Sequence, residues 1–246
     1  MAVEKEIIVA IEFGSSKIRG MAGCKNIDGS VQVLDVEQVD ARNCIRKGVV
    51  YNVEKTVMCL RHIVEKMETA LGMRLCRAFV GIGGRSLKGK INTVSRQLVT
   101  KTVISQELVD SLLKNNENTV YAGCEILDVI PQEYRVGTEA TTDPVGVLGN
   151  QIEGTFLNVV ARTEVREYII RCVEAAGLEV AGVFVSPMAL AGCVLTDTER
   201  RSGCALVDFG YGTTTVAVYK NNLLRHLAVI PLGGNNITQD LCTQQM

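Results

Sequence analysis

The chain of 246 residues carries 26 Lys and Arg against 27 Asp and Glu, and 47% of it is hydrophobic. The near-neutral balance gives no long-range pull toward a polyanion, so no nucleic-acid partner is expected, and the apolar content suffices for one large domain or two lobes. Nine scattered cysteines without a C-x-x-C pair, and only two histidines, His62 and His226, argue against a structural zinc site and for a reduced, cytosolic chain.

Residues 1–6 lack a signal-peptide pattern, and residues 7–13 open a series of three predicted strands with 18–24 and 31–39. A tight turn at Gly14, Ser15 and Ser16 joins the first two, and Asp28-Gly29 turns the next hairpin. Val53, Val57, Leu60, Val64, Met67 and Leu71 then recur at helical spacing, with Asn52 placed to cap the helix and Gly72 to end it. Residues 78–82 read as a buried strand.

The texture changes at residue 84. A strand at 91–100, a helix capped by Ser105 with Leu108, Val109, Leu112 and Leu113 inward, and strands at 125–136 and 151–161 form a small α+β insert. It returns to where it began, so it is expected to be a compact module dispensable for folding of the rest. A second helix follows, with Thr163 expected as its cap and Gly177 as its end. Its apolar face is Val165, Ile169, Cys172, Val173 and Ala176. A strand at 180–185 leads into a helix opening at Ser186-Pro187, where proline suits the first turn. Residues 180–195 are the longest nearly uncharged stretch, too short for a membrane span and broken at that point.

Strands at 205–209, 214–219 and 224–231 then repeat the opening pattern, and Gly233 and Gly234 open another helix. The repeated pieces are I-V-A-I-E-F-G-S-S-K at 8–17 and A-L-V-D-F-G-Y-G-T-T-T at 205–215. The chain thus divides into a first lobe (1–83 and 163–200), the insert (84–162) and the start of a second lobe (201–246).

A strand–turn–strand hairpin rich in Gly can aim backbone N–H groups at an anion. Two such turns facing each other would grip a polyphosphate from both sides. The acids beside them, Glu12 and Asp208, would repel phosphate unless a cation stood between, and Mg²⁺ takes one or two carboxylates together with phosphate oxygens. Neither a Walker A loop nor a dinucleotide fingerprint is present, since G-I-G-G at 81–84 does not extend to G-x-G-x-x-G.

D-V-I-P-Q-E-Y at 128–134, D-P-V-G-V-L-G-N-Q-I-E at 143–153, V-L-T-D-T-E-R at 194–200, V-D-F-G-Y-G-T-T-T-V-A-V-Y at 207–219 and L-R-H-L-A-V-I-P-L-G-G-N-N-I-T-Q-D-L at 224–241 carry a resemblance along essentially the whole chain. The chain resembles the FtsA family of bacterial cell-division proteins, within the actin-like ATPases. The resemblance implies an α/β fold: an actin-like (ribonuclease H-like) first lobe with an inserted α+β subdomain, and the opening hairpins of a second lobe. It implies an ATP and Mg²⁺ site at Gly14, Ser15, Ser16 and Lys17 in the first turn, and Asp208, Gly210, Gly212, Thr213 and Thr214 in the second. Gly233 and Gly234 open a helix beside the cleft, and Glu12 and Asp208 face the metal.

The implied role is a cytosolic scaffold that polymerises with itself, recruits the FtsZ ring to the inner membrane at the septum, and meets later division proteins through the insert. Membrane attachment is expected only through a C-terminal helix outside this chain. Catalysis is expected to be at most weak ATP hydrolysis, with none from residues 1–246. Two departures stand out: Glu12 takes a place where many actin-like ATPases carry Asp, and Tyr211 one where the second hairpin usually has Gly. The rival readings are a pilus-assembly adaptor of similar build and a sugar-kinase-type phosphotransferase.

Overall fold

The computed structural model describes residues 6–244. β1 (Ile7–Phe13), β2 (Lys17–Lys25) and β3 (Val31–Asp40) form an antiparallel meander. The two-residue period turns Val9, Ile11, Phe13, Ile18 and Ala22 into the core and leaves Glu12 and Arg19 paired on the other face. A short ribbon of β4 (Ile45–Arg46) and β5 (Val49–Val50) follows, absent from the sequence reading because each strand has two residues. Its turn residues, Lys47 and Gly48, both have positive φ.

α1 (Val53–Leu71) has the expected ends: the Asn52 side chain accepts from the Lys55 N–H at 2.9 Å, and Gly72 sits at φ 66°. Val57, Leu60, Val64 and Met67 are buried as the spacing predicts, joined by Ile63. After β6 (Arg77–Ile82) the chain enters the insert: β7 (Lys88–Val103), α2 (Gln106–Glu117), β8 (Cys124–Val136), β9 (Glu139–Thr141) and β10 (Leu148–Arg162). Its antiparallel sheet has the order β7-β10-β8-β9. α2 buries Val109 and Leu112 against it, with Leu108 and Leu113 half-buried. Asn116 is also buried, exchanging hydrogen bonds with Asn158 at 2.7 and 3.1 Å.

α3 (Thr163–Ala175) differs from expectation at its start. Thr163 is its first residue rather than its cap, because β10 runs through Arg162 directly into the helix. Arg162 occupies the cap position without a side-chain cap bond to a first-turn backbone N–H, while the Thr163 N–H donates to the Gly123 carbonyl at 3.3 Å. β11 (Glu179–Val185) then pairs in parallel with β6, and β6 in parallel with β1, so the main sheet reads β11-β6-β1-β2-β3. α4 (Ser186–Val194) has its proline in the first turn. The six-residue α5 (Asp197–Ser202), unforeseen, is held by a capping box between Thr196 and Glu199.

β12 (Cys204–Phe209), β13 (Thr214–Lys220) and β14 (Leu223–Ile230) form the second meander, turned at Asn221 and Asn222 with φ 55° and 61°. That double left-handed turn matches strand twist. α6 (Gly234–Gln244) follows. One face of this sheet packs inward through Ala217, Tyr219, Leu224 and Leu227, while Val207, Phe209, Ile230 and Leu232 are exposed. No helix among the described residues is long and apolar enough to cross a membrane.

Two cores share β10. Ile152 and Phe156 belong to the insert core with Ile104, Leu112 and Tyr134, whereas Leu157, Val159 and Ala161 belong to the main core together with Leu87. The pairing of β10 with β8 shifts register between Thr155 and Phe156, where the strand passes from one core to the other. Gln132 of β8 also donates to the Leu224 carbonyl at 3.0 Å and receives Arg225 at 3.1 Å. Cutting at residues 84 and 162 would strip the main core of four buried side chains, Leu87, Leu157, Val159 and Ala161, so the insert is not separate from that core in packing.

The cysteines are all free thiols. Burial, reinforced by the neighbouring Cys44, pushes the Cys59 thiol up to about 11, and burial does the same for Cys172. The thiolate is the reactive form. Alkylation at pH 8 followed by peptide mass mapping is therefore expected to label the exposed Cys76, Cys193 and Cys242 first. Labelling of Cys59 or Cys172 at the same rate would contradict their placement.

Candidate functional site

The two repeated turns face each other across a cavity of about 340 Å³. Gly14, Ser15 and Ser16 form one wall, and Asp208, Gly210 and Thr213 the opposite one. Each turn is the tight end of a meander, and each acid lies on the strand leading into it. The cross-strand register places Glu12 opposite Arg19, and Asp208 opposite Thr215. Arg19 Nη1 lies 3.0 Å from Glu12 Oε2, so the first acid is neutralised within its own hairpin. Asp208 has no ion pair among the described residues.

Not every expected residue reaches the cavity. Lys17 stands beyond the last pair of β1 and β2, so only β3 flanks it, and its ammonium donates to Gln38 at 3.1 Å. Thr214 points to the other face and donates to the Leu232 carbonyl at 2.8 Å; Thr215 lines the cavity in its place. Gly212 packs against Ser15, where an added Cβ would lie 3.3 Å from the serine Cβ, so the two turns touch there. Gly233 and Gly234 lie beneath the second turn rather than in the wall. The Gly234 N–H donates to the Gly210 carbonyl at 2.9 Å, and the Gly233 N–H to Asn236 at 3.0 Å.

The sequence reading missed Arg19, Gly48, Gly83, Gly84, Ser186 and Pro187, all of which line the cavity. Gly48 and Gly84 cross at close quarters, each at positive φ, and the Gly48 N–H donates to the Ser15 hydroxyl at 2.8 Å. The first turn is thereby tied to the β4–β5 ribbon. Ser186 and Pro187 open α4, so a helix N-terminus adds partial positive charge to the wall. Tyr211 lines the rim, 37% exposed. Outside the cavity and beside Tyr211, Arg42 holds its proton more strongly than usual, chiefly through its hydrogen bond to Asp40 and in part through the Tyr211 hydroxyl. The wall therefore offers hydroxyls, Gly-rich backbone, a helix N-terminus and one uncompensated carboxylate, a set suited to phosphate oxygens approached with a cation.

Comparison with known proteins bears on this arrangement. The family model for Cell division protein FtsA matches residues 205–245, and that for the SHS2 domain inserted in FtsA matches residues 84–160. The chain is 33% identical over 244 residues to Cell division protein FtsA of Porphyromonas gingivalis, covering 98% of this chain and 51% of that protein. With Cell division protein FtsA of Pseudomonas aeruginosa it shares 29% identity over 238 residues, 96% of this chain and 57% of that protein. It thus spans about half the length of the curated relatives it matches. Among solved structures, a chain of the PilM-PilN type IV pilus biogenesis complex superimposes with a TM-score of 0.64 at 13% identity, over 94% of this chain and 63% of that one. At that identity the likeness is one of fold, and the fold is actin-like, with the insert in its first lobe. Matches in both the insert and the second hairpin, and relatives aligned along nearly its whole length, show that the chain belongs to the FtsA family of cell division proteins.

Proposed function

We propose that the cavity between the turns holds the phosphates of ATP with Mg²⁺, and that nucleotide regulates the assembly of a cell-division scaffold. The asymmetry between the repeats carries this reading: Arg19 compensates Glu12, while Asp208 faces the cavity without a cation. A bare carboxylate in a phosphate cavity repels the ligand unless a metal bridges the two. Among the described residues no cluster of three or more metal-ligating side chains exists, so an all-protein cage is not the alternative. Mg²⁺ suits one carboxylate, with waters and phosphate oxygens completing its shell. When bound, Mg-ATP would supply the phosphoryl group and a link between the two turns. Ser15, Ser16 and Thr213 would orient its oxygens, with Gly14 and Gly210 allowing close backbone approach. Asp208 would be the principal metal-facing acid and Glu12, held by Arg19, a secondary one.

In the same reading the whole protein polymerises, tethers FtsZ to the cytoplasmic face of the inner membrane at the septum through a C-terminal helix, and meets later division proteins through the insert. The family membership supports this over the pilus adaptor, whose likeness is one of fold alone.

The test is calorimetry on the full-length protein. Asp208→Ala is expected to weaken Mg-ATP binding by tenfold or more, about 1.4 kcal/mol. Binding of ATP in excess chelator should stay unchanged or tighten, because a repulsive charge is gone. Undiminished Mg-ATP affinity would remove Asp208 from the metal site.

A further inference from the structure

A second cavity, of about 270 Å³, lies where the insert joins the main lobe. Arg85 and Ser86 line it from the segment leading into β7, Lys88 from the first position of that strand, and Arg162, Glu164 and Val165 from the junction of β10 with α3. Four observations converge there. The Ser86 hydroxyl is buried without a hydrogen-bond partner, in a residue only 8% exposed. The N-terminus of the 13-residue α3 lacks a side-chain cap. Arg85 and Lys88 have no carboxylate partner among the described residues, whereas Arg162 and Glu164 neutralise each other at 3.2 Å. The volume lies below the roughly 300–1,000 Å³ of pockets for drug-sized ligands, so the occupant is small.

We propose that this cavity is an anion site, taking a tetrahedral oxyanion of the phosphate class. The donors match that chemistry: a buried hydroxyl with nothing to donate to, a helix N-terminus without a side-chain cap and two unpaired cations all favour an oxyanion acceptor. A cation would meet Arg85 and Lys88, and a neutral apolar guest would leave the serine hydroxyl orphaned. The proposal does not depend on nucleotide binding, but the two cavities are joined by one stretch of backbone. Gly83 and Gly84 line the first, and the next residues line the second.

The test uses the chain labelled with ¹⁵N and titrated with inorganic phosphate at low ionic strength, with a chloride titration alongside. Saturable amide shifts are expected at residues 85–88 and 163–166, absent with chloride. Lys88→Gln, a change at an exposed side chain, is expected to weaken the response by about tenfold, and Ser86→Ala to weaken it with unchanged far-UV circular dichroism. Saturable shifts confined to residues 12–16 and 208–213 would overturn the proposal, since phosphate would then be in the first cavity. So would no saturable shift by about 10 mM phosphate, a concentration that detects a millimolar site, an equal response to chloride, or a response that both variants leave intact.

Discussion

Gly84→Ala is expected to destabilise the chain by about 3 kcal/mol or more, a large share of a marginal stability. Two effects add. Gly84 sits at φ +88°, where a side chain costs about 1–2 kcal/mol. The new Cβ would also stand 2.6 Å from both the Gly48 Cα and the Lys47 carbonyl oxygen. Those are backbone atoms, so no side chain can rotate away, and the two crossing segments must separate. Gly177 supplies the control: its φ is +93°, but nothing lies within 4 Å, so Gly177→Ala should show the conformational cost alone. Urea denaturation of the two variants measures the difference directly. Similar losses would mean that the Gly48–Gly84 crossing can open freely. Separation would also move Gly83 and the Ser15–Gly48 hydrogen bond, so loosening of the cavity should accompany the loss of stability.

Adjacent truncations on β10 should act on different parts of the molecule. Phe156→Ala empties the insert core, where the ring meets Tyr134 edge-on at 6.0 Å between centroids. Leu157→Ala, one residue on, empties the main core. Costs of about 3–5 and 2–5 kcal/mol respectively are expected for fully buried side chains. Hydrogen exchange should show the first accelerating amides of α2 and the outer parts of β7 and β8, and the second those of β1, β6 and α1. The same pattern for both would show that the two clusters unfold as one unit.

What the sequence made legible was what is local. The stripe of α1, its Asn52 cap and its Gly72 stop are all written between residues 52 and 72, and each Gly turn is written in a few consecutive residues. The register was less legible. Lys17 looked like a phosphate ligand because it adjoins the turn, yet strand pairing sends it to Gln38 and gives Arg19 to Glu12. The same logic puts Thr215, not Thr214, opposite Asp208. Gly48, Gly83 and Gly84 were missed for a different reason. They contribute backbone, and nothing in their own neighbourhood says which distant segment they will touch. Thr163 fitted every local rule for a cap, and lost the position because the preceding strand continues up to the helix.

The sharing of β10 between two cores also bears on the order in which the chain folds. β6 ends at Ile82 and its parallel neighbour β11 begins at Glu179. Closing so long a flexible loop costs entropy that grows with the logarithm of its length. Every strand pairing within the insert joins residues closer in sequence than those of β6 and β11, and less distant contacts form faster. Once β7 and β10 have paired, their outer ends, Lys88 opposite Val160, hold the two sides of the gap together. The folded insert then acts as a short tether, and β11 searches for its place beside β6 from close by. An insert core weakened at Phe156 should therefore slow formation of the main sheet, although that residue lies outside the main core.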